Sequence, residues 1–290
     1  MFLHTDLNDY RFTYTEKGSG EPIVFVHGSV SDFRTWSKQQ EEFSRHYNTY
    51  AYSRRYHWPN QKISDSEDYS MKQHVEDLEA FIKMTVSKPV HLVGHSYGAF
   101  VCLLLAIQYQ HLVRTLVLAE PPVITLFVSN SPKPSEILKL LFSRPRTAAA
   151  IIRFGARGVG PATAEVKHGN LDKAVEIFGK ATLGGEAYAK LSNERLEQVR
   201  SNLIEAEFLG SGYPSLDINN IRQIDIPTLL VYSQNGPKLF HLLLDRLHEL
   251  LPDATRELIT EASHIVHEDN AVAYNSAVLT FIDKQSGLKL

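Results

Sequence analysis

Cysteine is almost absent from this sequence, because Cys102 is the only one among 290 residues. A single cysteine excludes a disulfide bond within the chain, which favours a reducing compartment. Cys102 lies in the apolar run AFVCLLLAI, a setting more typical of a packed core residue than of a reactive thiol. The first residues, MFLHTDLNDYRF, lack the basic start and apolar stretch of a signal peptide. We therefore expect a cytoplasmic protein.

Long apolar runs and an excess of positive charge are missing as well. The sequence has no run of about 18 apolar residues, the length that a membrane-spanning helix needs. Its formal net charge is −3, so it lacks the basic surface to which nucleic acids bind. We expect neither a membrane nor a nucleic acid as a partner.

Short β-rich runs alternate with amphipathic stretches over the first third of the chain. Alternation of this kind predicts parallel strands joined by crossover helices that cover both faces of an α/β sheet. The runs are apolar at consecutive positions, as expected for strands that are buried on both faces. The predicted strands are 22–28, 48–55, 89–95 and 114–121, and the predicted helices are 36–47, 71–87 and 97–112.

The pattern changes after Pro121 and Pro122, where the strand-like runs stop. Beyond them the apolar residues have helical spacing, with glycine and proline at the joints. The helical segments are 135–142, 146–156, 171–182 and 186–208, and the sheet resumes with strands at 226–233 and 255–263 and helices at 237–251 and near 269–284. We therefore predict a core in two parts, 1–122 and 215–290, with an all-helical cap insertion at 123–214.

The stretch Gly94-His95-Ser96-Tyr97-Gly98 fits the pattern G-x-S-x-G of a nucleophile elbow. It stands between an apolar strand and a helical stretch, which is the position of a nucleophile elbow. Such an elbow holds its serine in a sharp, strained turn, and the flanking glycines let neighbouring chain approach closely. The helix start behind the serine adds backbone N–H groups where negative charge develops. This context favours Ser96 as a nucleophile over an ordinary glycine turn.

The residues His27-Gly28-Ser29 end the earlier apolar strand FVHG. A tight turn here would aim the backbone N–H of Ser29 at the same point as that of Tyr97. Two such N–H groups form an oxyanion hole, which is usually the largest electrostatic contribution to acyl transfer. The alternative is a simple turn between a strand and a helix. His27 is expected to orient this loop rather than to exchange protons.

A nucleophilic serine needs a base, and the chain offers 13 histidines. His264 follows the apolar run RELITEAS, at the carboxyl end of a predicted strand, where catalytic groups collect in open α/β sheets. His267, three positions further on, is the second candidate. His95 flanks the serine, but its side chain is expected to point away from Ser96 across the turn.

The order of HG, GxSxG, helical insertion and SH resembles the α/β-hydrolase family. The resemblance is to its cap-bearing branch of esterases, C–C hydrolases and cofactor-free haloperoxidases. It implies an eight-stranded, mostly parallel sheet, with Ser96 as nucleophile and His264 as base. It also implies that the Ser29 and Tyr97 amides form the oxyanion hole. Haloalkane dehalogenases and epoxide hydrolases use an aspartate where Ser96 stands, so these two chemistries are disfavoured.

The acid that should complete a triad is missing from its usual position, directly after the predicted strand at 226–233, because 233–236 reads Ser-Gln-Asn-Gly. Asn235 could orient a histidine ring but carries no charge. Some members of the family carry the acid one strand earlier, and there Glu120 stands at the end of the run LVLAEPP. We therefore predict Glu120 as the acid. The alternatives are a glutamate at the cap hinge without a catalytic role, Glu268 or Asp269 as the acid, or no acid.

The stretch SRRYHWPN, residues 53–60, follows a predicted strand and is expected near the mouth of the site. Its Arg54, Tyr56 and Trp58, together with His27, are candidates to contact a polar or aromatic substrate. The alternative is a loop that is packed by its own aromatic side chains.

These features predict a serine hydrolase, most simply a carboxylester hydrolase, that acts on a small-molecule substrate. The bond would be a small, largely apolar ester, a lactone or an activated C–C bond, cleaved through an acyl-enzyme. No metal-ligand set or dinucleotide-binding glycine loop occurs, so we expect no cofactor. The missing aspartate keeps open a hydrolase-like ligand receptor with slow or no turnover. A cofactor-free lyase or oxygenase on the same fold is a third possibility.

Overall fold

The computed structural model describes residues 1–64, 67–202 and 205–287 as one sheet flanked by helices. The strands are β1 (Leu3–Leu7), β2 (Tyr10–Lys17), β3 (Pro22–Val26), β4 (Asn48–Tyr52), β5 (Val90–His95), β6 (Val113–Ala119), β7 (Thr228–Ser233) and β8 (Ala254–Ile259). The helices are α1 (Ser37–Phe43), α2 (Met71–Ala80), α3 (Tyr97–Gln108), α4 (Pro134–Ser143), α5 (Pro145–Phe154), α6 (Gly160–Lys167), α7 (Leu171–Leu183), α8 (Gly185–Ala189), α9 (Asn193–Ser201), α10 (Glu205–Leu209), α11 (Ile218–Arg222), α12 (Lys238–Leu250), α13 (Val266–Asp269) and α14 (Ala271–Ser286). A π-helical stretch, Phe81–Val86, continues α2, another, Gly155–Val159, joins α5 to α6, and 3₁₀ turns lie at Phe33–Trp36, Gln110–Leu112 and Ile124–Leu126.

The strands lie in the order β1-β2-β4-β3-β5-β6-β7-β8. β2 pairs antiparallel with both β1 and β4, whereas every other neighbouring pair is parallel. The predicted eight-stranded, mostly parallel sheet is therefore confirmed. Because β3, β5, β6, β7 and β8 are consecutive neighbours that run in one direction, their carboxyl ends meet along one edge.

The antiparallel pair β1–β2 is a feature that the alternation of strands and helices did not predict. Its turn is formed by Asn8 and Asp9, whose φ angles are +49° and +56°. Positive φ at both central residues is the requirement of a type I′ turn, and short polar side chains tolerate that conformation. The dipeptide Asn-Asp between two β-rich runs was therefore a usable signal for a hairpin.

The central strands are buried on both faces, as their apolar runs predicted. Ile23 and Phe25 of β3 pack in a cluster with residues of α1 and α14. Val24 and Val26 point to the opposite face, into a cluster with residues of α2, α3 and α12. Side chains alternate along a strand, so one apolar run supplies both layers of the core.

In the described residues, seven helices, α4 to α10, lie within the predicted insertion, and α11 follows them before β7. No strand lies in the described parts of this region, 120–202 and 205–227. The stretch 186–208, read from sequence as one helical segment, is divided into α8, α9 and α10. The division after α8 has a local cause, because the Ser192 side chain accepts the Arg195 N–H at 3.1 Å and begins α9. Residues 203–204 of that stretch lie outside the described residues.

None of the helices in the described ranges is both long enough and apolar enough to cross a membrane.

Candidate active site

Polar residues lie at or just after the carboxyl ends of five neighbouring strands, along the edge where these ends meet. Ligands and catalytic groups collect at this edge in open α/β sheets. The residues, taken in the order of their strands β3, β5, β6, β7 and β8, are His27, Ser96, Glu120, Ser233 and His264.

Ser96 occupies a strained turn between β5 and α3. Its φ of +49° and ψ of −120° lie in a region that non-glycine residues rarely adopt, at a cost of order 1–3 kcal/mol. The flanking glycines are required by close packing. A Cβ atom on Gly98 would lie 2.3 Å from the carbonyl oxygen of Val26, and one on Gly94 would lie 2.6 Å from the Cα of Ala99. The elbow therefore accepts only glycine at these two positions.

Ser96, His264 and Glu120 form an uninterrupted row of hydrogen bonds. His264 Nδ1 lies 2.6 Å from Glu120 Oε2, and His264 Nε2 lies 2.9 Å from Ser96 Oγ. A carboxylate can only accept, so Nδ1 carries the proton and donates it to Glu120. Nε2 is then left with a lone pair that accepts the Ser96 hydroxyl. This is the tautomer that a base for Ser96 requires.

Glu120 is fully buried directly after β6, with a φ of +46°. Its Oε1 accepts the Ser233 N–H at 2.8 Å and also accepts the Ser233 hydroxyl. With His264 on Oε2, both oxygens are satisfied, as a buried carboxylate requires. The corner after β7 thus lacks an acid but supplies two donors to the acid of the adjacent strand. This role of Ser233 has no local signal in the sequence, because Ser233 and Glu120 are 113 positions apart.

Asn235 and the two acidic alternatives do not contact His264. Asn235 is exposed, and its backbone N–H donates to the carbonyl of Ala262 at 2.9 Å. Glu268 lies 3.1 Å from the Arg195 guanidinium, and Asp269 accepts two hydrogen bonds from Ser263. Of the predicted acids, the structure brings only Glu120 to the ring.

The ring of His264 is fixed by its neighbours. Phe240 of α12 stacks on it, with 4.1 Å between ring centroids and 26° between planes. The His95 Nε2–H donates to the backbone carbonyl of His264 at 2.8 Å, so His95 contacts the predicted base rather than Ser96. His267 stacks on Trp36 at 4.2 Å and contacts Thr35, and it does not take the place of His264 beside the serine.

The two predicted oxyanion donors are available. Tyr97 is the first residue of α3, so its N–H has no acceptor within the helix. The Ser29 N–H makes no hydrogen bond to any described residue, and Ser29 lines the same cavity as Ser96. A Cβ atom on Gly28 would lie 3.2 Å from Ser96 Cβ, which shows how closely this loop approaches the nucleophile. Both N–H groups are therefore free to receive a negative oxygen.

The four residues predicted to contact a substrate do not line the cavity beside Ser96. Arg54 is fully buried, and its backbone N–H donates to His27 Nε2 at 2.9 Å. The Tyr56 hydroxyl donates to a glutamate at 3.0 Å, and the Trp58 ring lies under an arginine at 3.8 Å. The stretch 53–60 is thus packed mainly against residues elsewhere in the chain, so the alternative of a loop packed by its own aromatic side chains is wrong as well.

The cavity beside the serine has a volume of about 60 Å³. The cap supplies much of its wall through Val175, Phe178 and Leu183 of α7. Arg195 of α9 is a charged residue of the wall, and its Nε lies 3.1 Å from Glu268 Oε2. This ion pair compensates the arginine charge, so the wall offers mainly apolar contact.

Across the described ranges, no group of three or more His, Cys, Asp or Glu side chains is placed to hold a metal ion.

Stability is expected to fall on acidification, because burial lowers the pKa of His27, His57, His74, His95 and His267 well below the usual value. In the unfolded chain these rings bind protons below about pH 6.5. In the folded protein they stay neutral, so the free energy of unfolding decreases as the pH falls, by up to about 1.4 kcal/mol per ring and pH unit. We expect a loss of several kcal/mol between pH 7 and pH 5.5 in urea denaturation. An unfolding free energy that is constant over this range would contradict the expectation.

The sheet order, the elbow and the hydrogen-bonded serine, histidine and glutamate define a hydrolase-type fold and site. The family model for the alpha/beta hydrolase fold matches residues 21–271. The chain belongs to this family.

Several proteins of known identity are similar to this chain. Epoxide hydrolase 3 of Xenopus tropicalis is 24% identical over 288 residues, which cover 94% of this chain and 74% of that protein. Epoxide hydrolase 2 of Caenorhabditis elegans is 30% identical over 118 residues, which cover 40% of this chain and 33% of that protein. This chain thus spans about a third of the latter relative. The enol-lactonase from Burkholderia xenovorans LB400 superposes with a TM-score of 0.72 at 14% identity, covering 97% of this chain and 99% of that chain. At this identity the likeness shows the fold alone.

Proposed function

We propose that the protein is a serine hydrolase that cleaves a small, largely apolar carboxylic ester or lactone through an acyl-enzyme. The observation that carries the proposal is the continuous row of hydrogen bonds from Ser96 through His264 to Glu120. The relatives named as hydrolases support an enzyme of this general class. An activated C–C bond next to a carbonyl group would use the same residues.

The geometry supports a two-step reaction. His264 Nε2 takes the proton of Ser96 as its Oγ attacks the carbonyl carbon, and Glu120 stabilises the imidazolium that results. The oxygen of the tetrahedral intermediate accepts hydrogen bonds from the Ser29 and Tyr97 N–H groups. His264 then gives its proton to the leaving alcohol, and an acyl-enzyme remains on Ser96. A water molecule activated by His264 releases the acid and regenerates the serine.

The chemistry of serine argues against opening of an epoxide, despite the names of the two curated relatives. A serine oxygen that opened an epoxide would be left as an alkyl ether. An ether has no carbonyl carbon for water to attack, so the covalent intermediate would not be released. Ser96 therefore suits a substrate that already contains a carbonyl group.

The small apolar cavity supports a short acyl group or a compact lactone as the substrate. The enol-lactonase that shares this fold is named for such a bond. A ligand receptor would not need a base in the correct tautomer with a fully buried acid behind it. The complete hydrogen-bonded row therefore supports turnover over mere binding.

A fluorophosphonate probe and a panel of short-chain p-nitrophenyl esters test the proposal. We expect one equivalent of label, found at Ser96 by peptide mass spectrometry, and steady turnover of the acetate and butyrate esters. Heat-denatured protein, in which the row of hydrogen bonds is lost, should take up no label. Label on another serine would contradict the proposal, and one burst of product without further turnover would favour the receptor.

A further inference from the structure

The guanidinium of Arg54, in the loop after β4, has no exposed surface. Its Nε donates to the carbonyl oxygen of His27 at 3.1 Å, and its Nη2 donates to that of Gly28 at 2.9 Å. Its Nη1 donates to the hydroxyl of Tyr69 at 2.6 Å. A buried cation is tolerated only when its donors are satisfied and an anion compensates its charge. Arg54 therefore depends on the carbonyl groups of the loop after β3 and on a nearby carboxylate.

The hydrogen bond to Gly28 has a consequence for the proposed oxyanion hole. The carbonyl of Gly28 and the N–H of Ser29 belong to the same peptide group, which is planar and trans, so they point in opposite directions. Arg54 holds the Gly28 oxygen together with His27, whose Nδ1 lies 2.9 Å from it, and so helps to fix the direction of the Ser29 N–H. The same guanidinium lies 4.5 Å from the centroid of the Tyr97 ring. One side chain thus contacts the peptide group that carries the Ser29 N–H and the ring of Tyr97.

The compensating carboxylate comes from the cap. Glu207 of α10 has a side chain that is 5% exposed, and its Oε1 lies 3.6 Å from Arg54 Nη2. Its Oε2 accepts the backbone N–H of Val30 at 3.1 Å. Val30 follows Ser29 and has a φ of +44°, a conformation that is unfavourable for a β-branched residue. The loop is therefore held in a strained conformation by a residue of the cap.

We propose that Arg54 and Glu207 are positioning residues. They couple the packing of the cap against the core to the geometry of the oxyanion hole. With α10 against the core, Glu207 compensates Arg54 and holds Val30, and Arg54 in turn directs the Ser29 N–H. When the cap moves away from the core, Arg54 loses the Glu207 carboxylate that compensates its charge. The loop at 27–30 then relaxes, and the oxyanion hole is lost. The inference rests on the proposed function and adds a means of regulating the same site.

The variant Glu207→Gln tests the coupling with little change of shape. Glutamine has no charge to compensate Arg54, and its single oxygen can face either Val30 or Arg54 but not both. The matched control is Glu249→Gln, which also removes a carboxylate from an ion pair between cap and core, at 2.7 Å from Arg144. The rate constant kcat and KM are measured with p-nitrophenyl acetate, per active site titrated with a fluorophosphonate. The Ki of a trifluoromethyl ketone is measured in parallel, because its tetrahedral adduct places a negative oxygen in the hole.

We expect Glu207→Gln to lower kcat by about 10- to 100-fold, the loss typical of a misplaced supporting group. KM should change little, and the Ki of the ketone should rise by the same factor as kcat falls. Glu249→Gln should behave as the wild type in all three measurements. A purely structural role of Glu207 would lower the titrated fraction of sites but would leave kcat per site and the Ki unchanged.

The positioning role is wrong if Glu207→Gln matches Glu249→Gln, or if its kcat falls while the Ki of the ketone stays the same. Arg54→Lys gives a second test, because lysine keeps the charge but cannot hold two carbonyl oxygens with a rigid fork. If Arg54→Lys folds poorly, Glu207→Gln still decides. A wild-type protein that neither takes up the probe nor turns over esters would instead contradict the proposed function.

Discussion

Replacing Ser96 with alanine is expected to lower kcat for p-nitrophenyl acetate by about 10⁶-fold, as loss of the nucleophile does in a well-studied serine protease. The reason is that no acyl-enzyme can form without the Oγ atom that lies 2.9 Å from His264 Nε2. The oxyanion donors and the cavity remain, so a residual acceleration over water of about 10³- to 10⁴-fold can persist. Ser96→Ala should also abolish the uptake of a fluorophosphonate.

Ser143→Ala is a suitable control for that variant, because Ser143 is an exposed serine of the cap whose hydroxyl donates only to a carbonyl of its own helix. It should retain wild-type kcat and take up a full equivalent of the probe. Circular dichroism verifies that both variants are folded. If Ser96→Ala kept most of the wild-type turnover, another residue would have to be the nucleophile.

Glu120→Gln is expected to lower kcat by about 10²- to 10⁴-fold, by analogy with the asparagine variant of a serine protease triad. Charge is one reason, because the imidazolium formed during attack loses its counter-ion. The second reason is a change in the tautomer of His264. Both donors of Ser233 require an oxygen as acceptor, so the side-chain oxygen of the glutamine faces Ser233. Its NH₂ group then faces His264 Nδ1. Nδ1 must then accept, the proton moves to Nε2, and the base can no longer take the proton of Ser96.

Asn235→Ala is the control for Glu120→Gln. Asn235 lies directly after β7, where a triad acid usually stands, but its side chain is exposed. It should change kcat little. The kinetics of the two variants are compared at pH 8, where folding is not weakened by protonation of buried histidines. Near-normal turnover of a folded Glu120→Gln would show that the carboxylate has no role in catalysis.

The sequence predicted best what depends on local chain geometry. The elbow at Ser96 follows from two glycines that packing demands at fixed distances from the serine. The position of Glu120 could be predicted because it ends the run LVLAEPP, where some members of the family that the chain resembles carry the acid. The predicted row of Ser96, Glu120 and His264 is brought together in the structure, and its catalytic role stays a prediction.

Other features depend on contacts between distant parts of the chain and have no local signal. Ser233 donates to Glu120 across 113 positions, and Phe240 stacks on His264 only after α12 has packed against the sheet. Arg54 lies at the end of a predicted strand, which indicates a position near the mouth of the site. Its burial follows from two carbonyl oxygens and a cap glutamate that no periodicity reveals.

The position of the carboxylate after β6 rather than after β7 also affects the order in which the site can assemble. Ser96 and Glu120 leave the ribosome before the whole cap, whereas His264 follows Glu120 by 144 residues. Until β7 and β8 are added, Glu120 has neither the Ser233 donors nor the imidazole, and burying it would be unfavourable. The edge of the sheet that carries Glu120 is therefore completed only when the last quarter of the chain docks. A nascent chain halted in the cap would contain Ser96 and Glu120 but not His264, and we expect it to be inert.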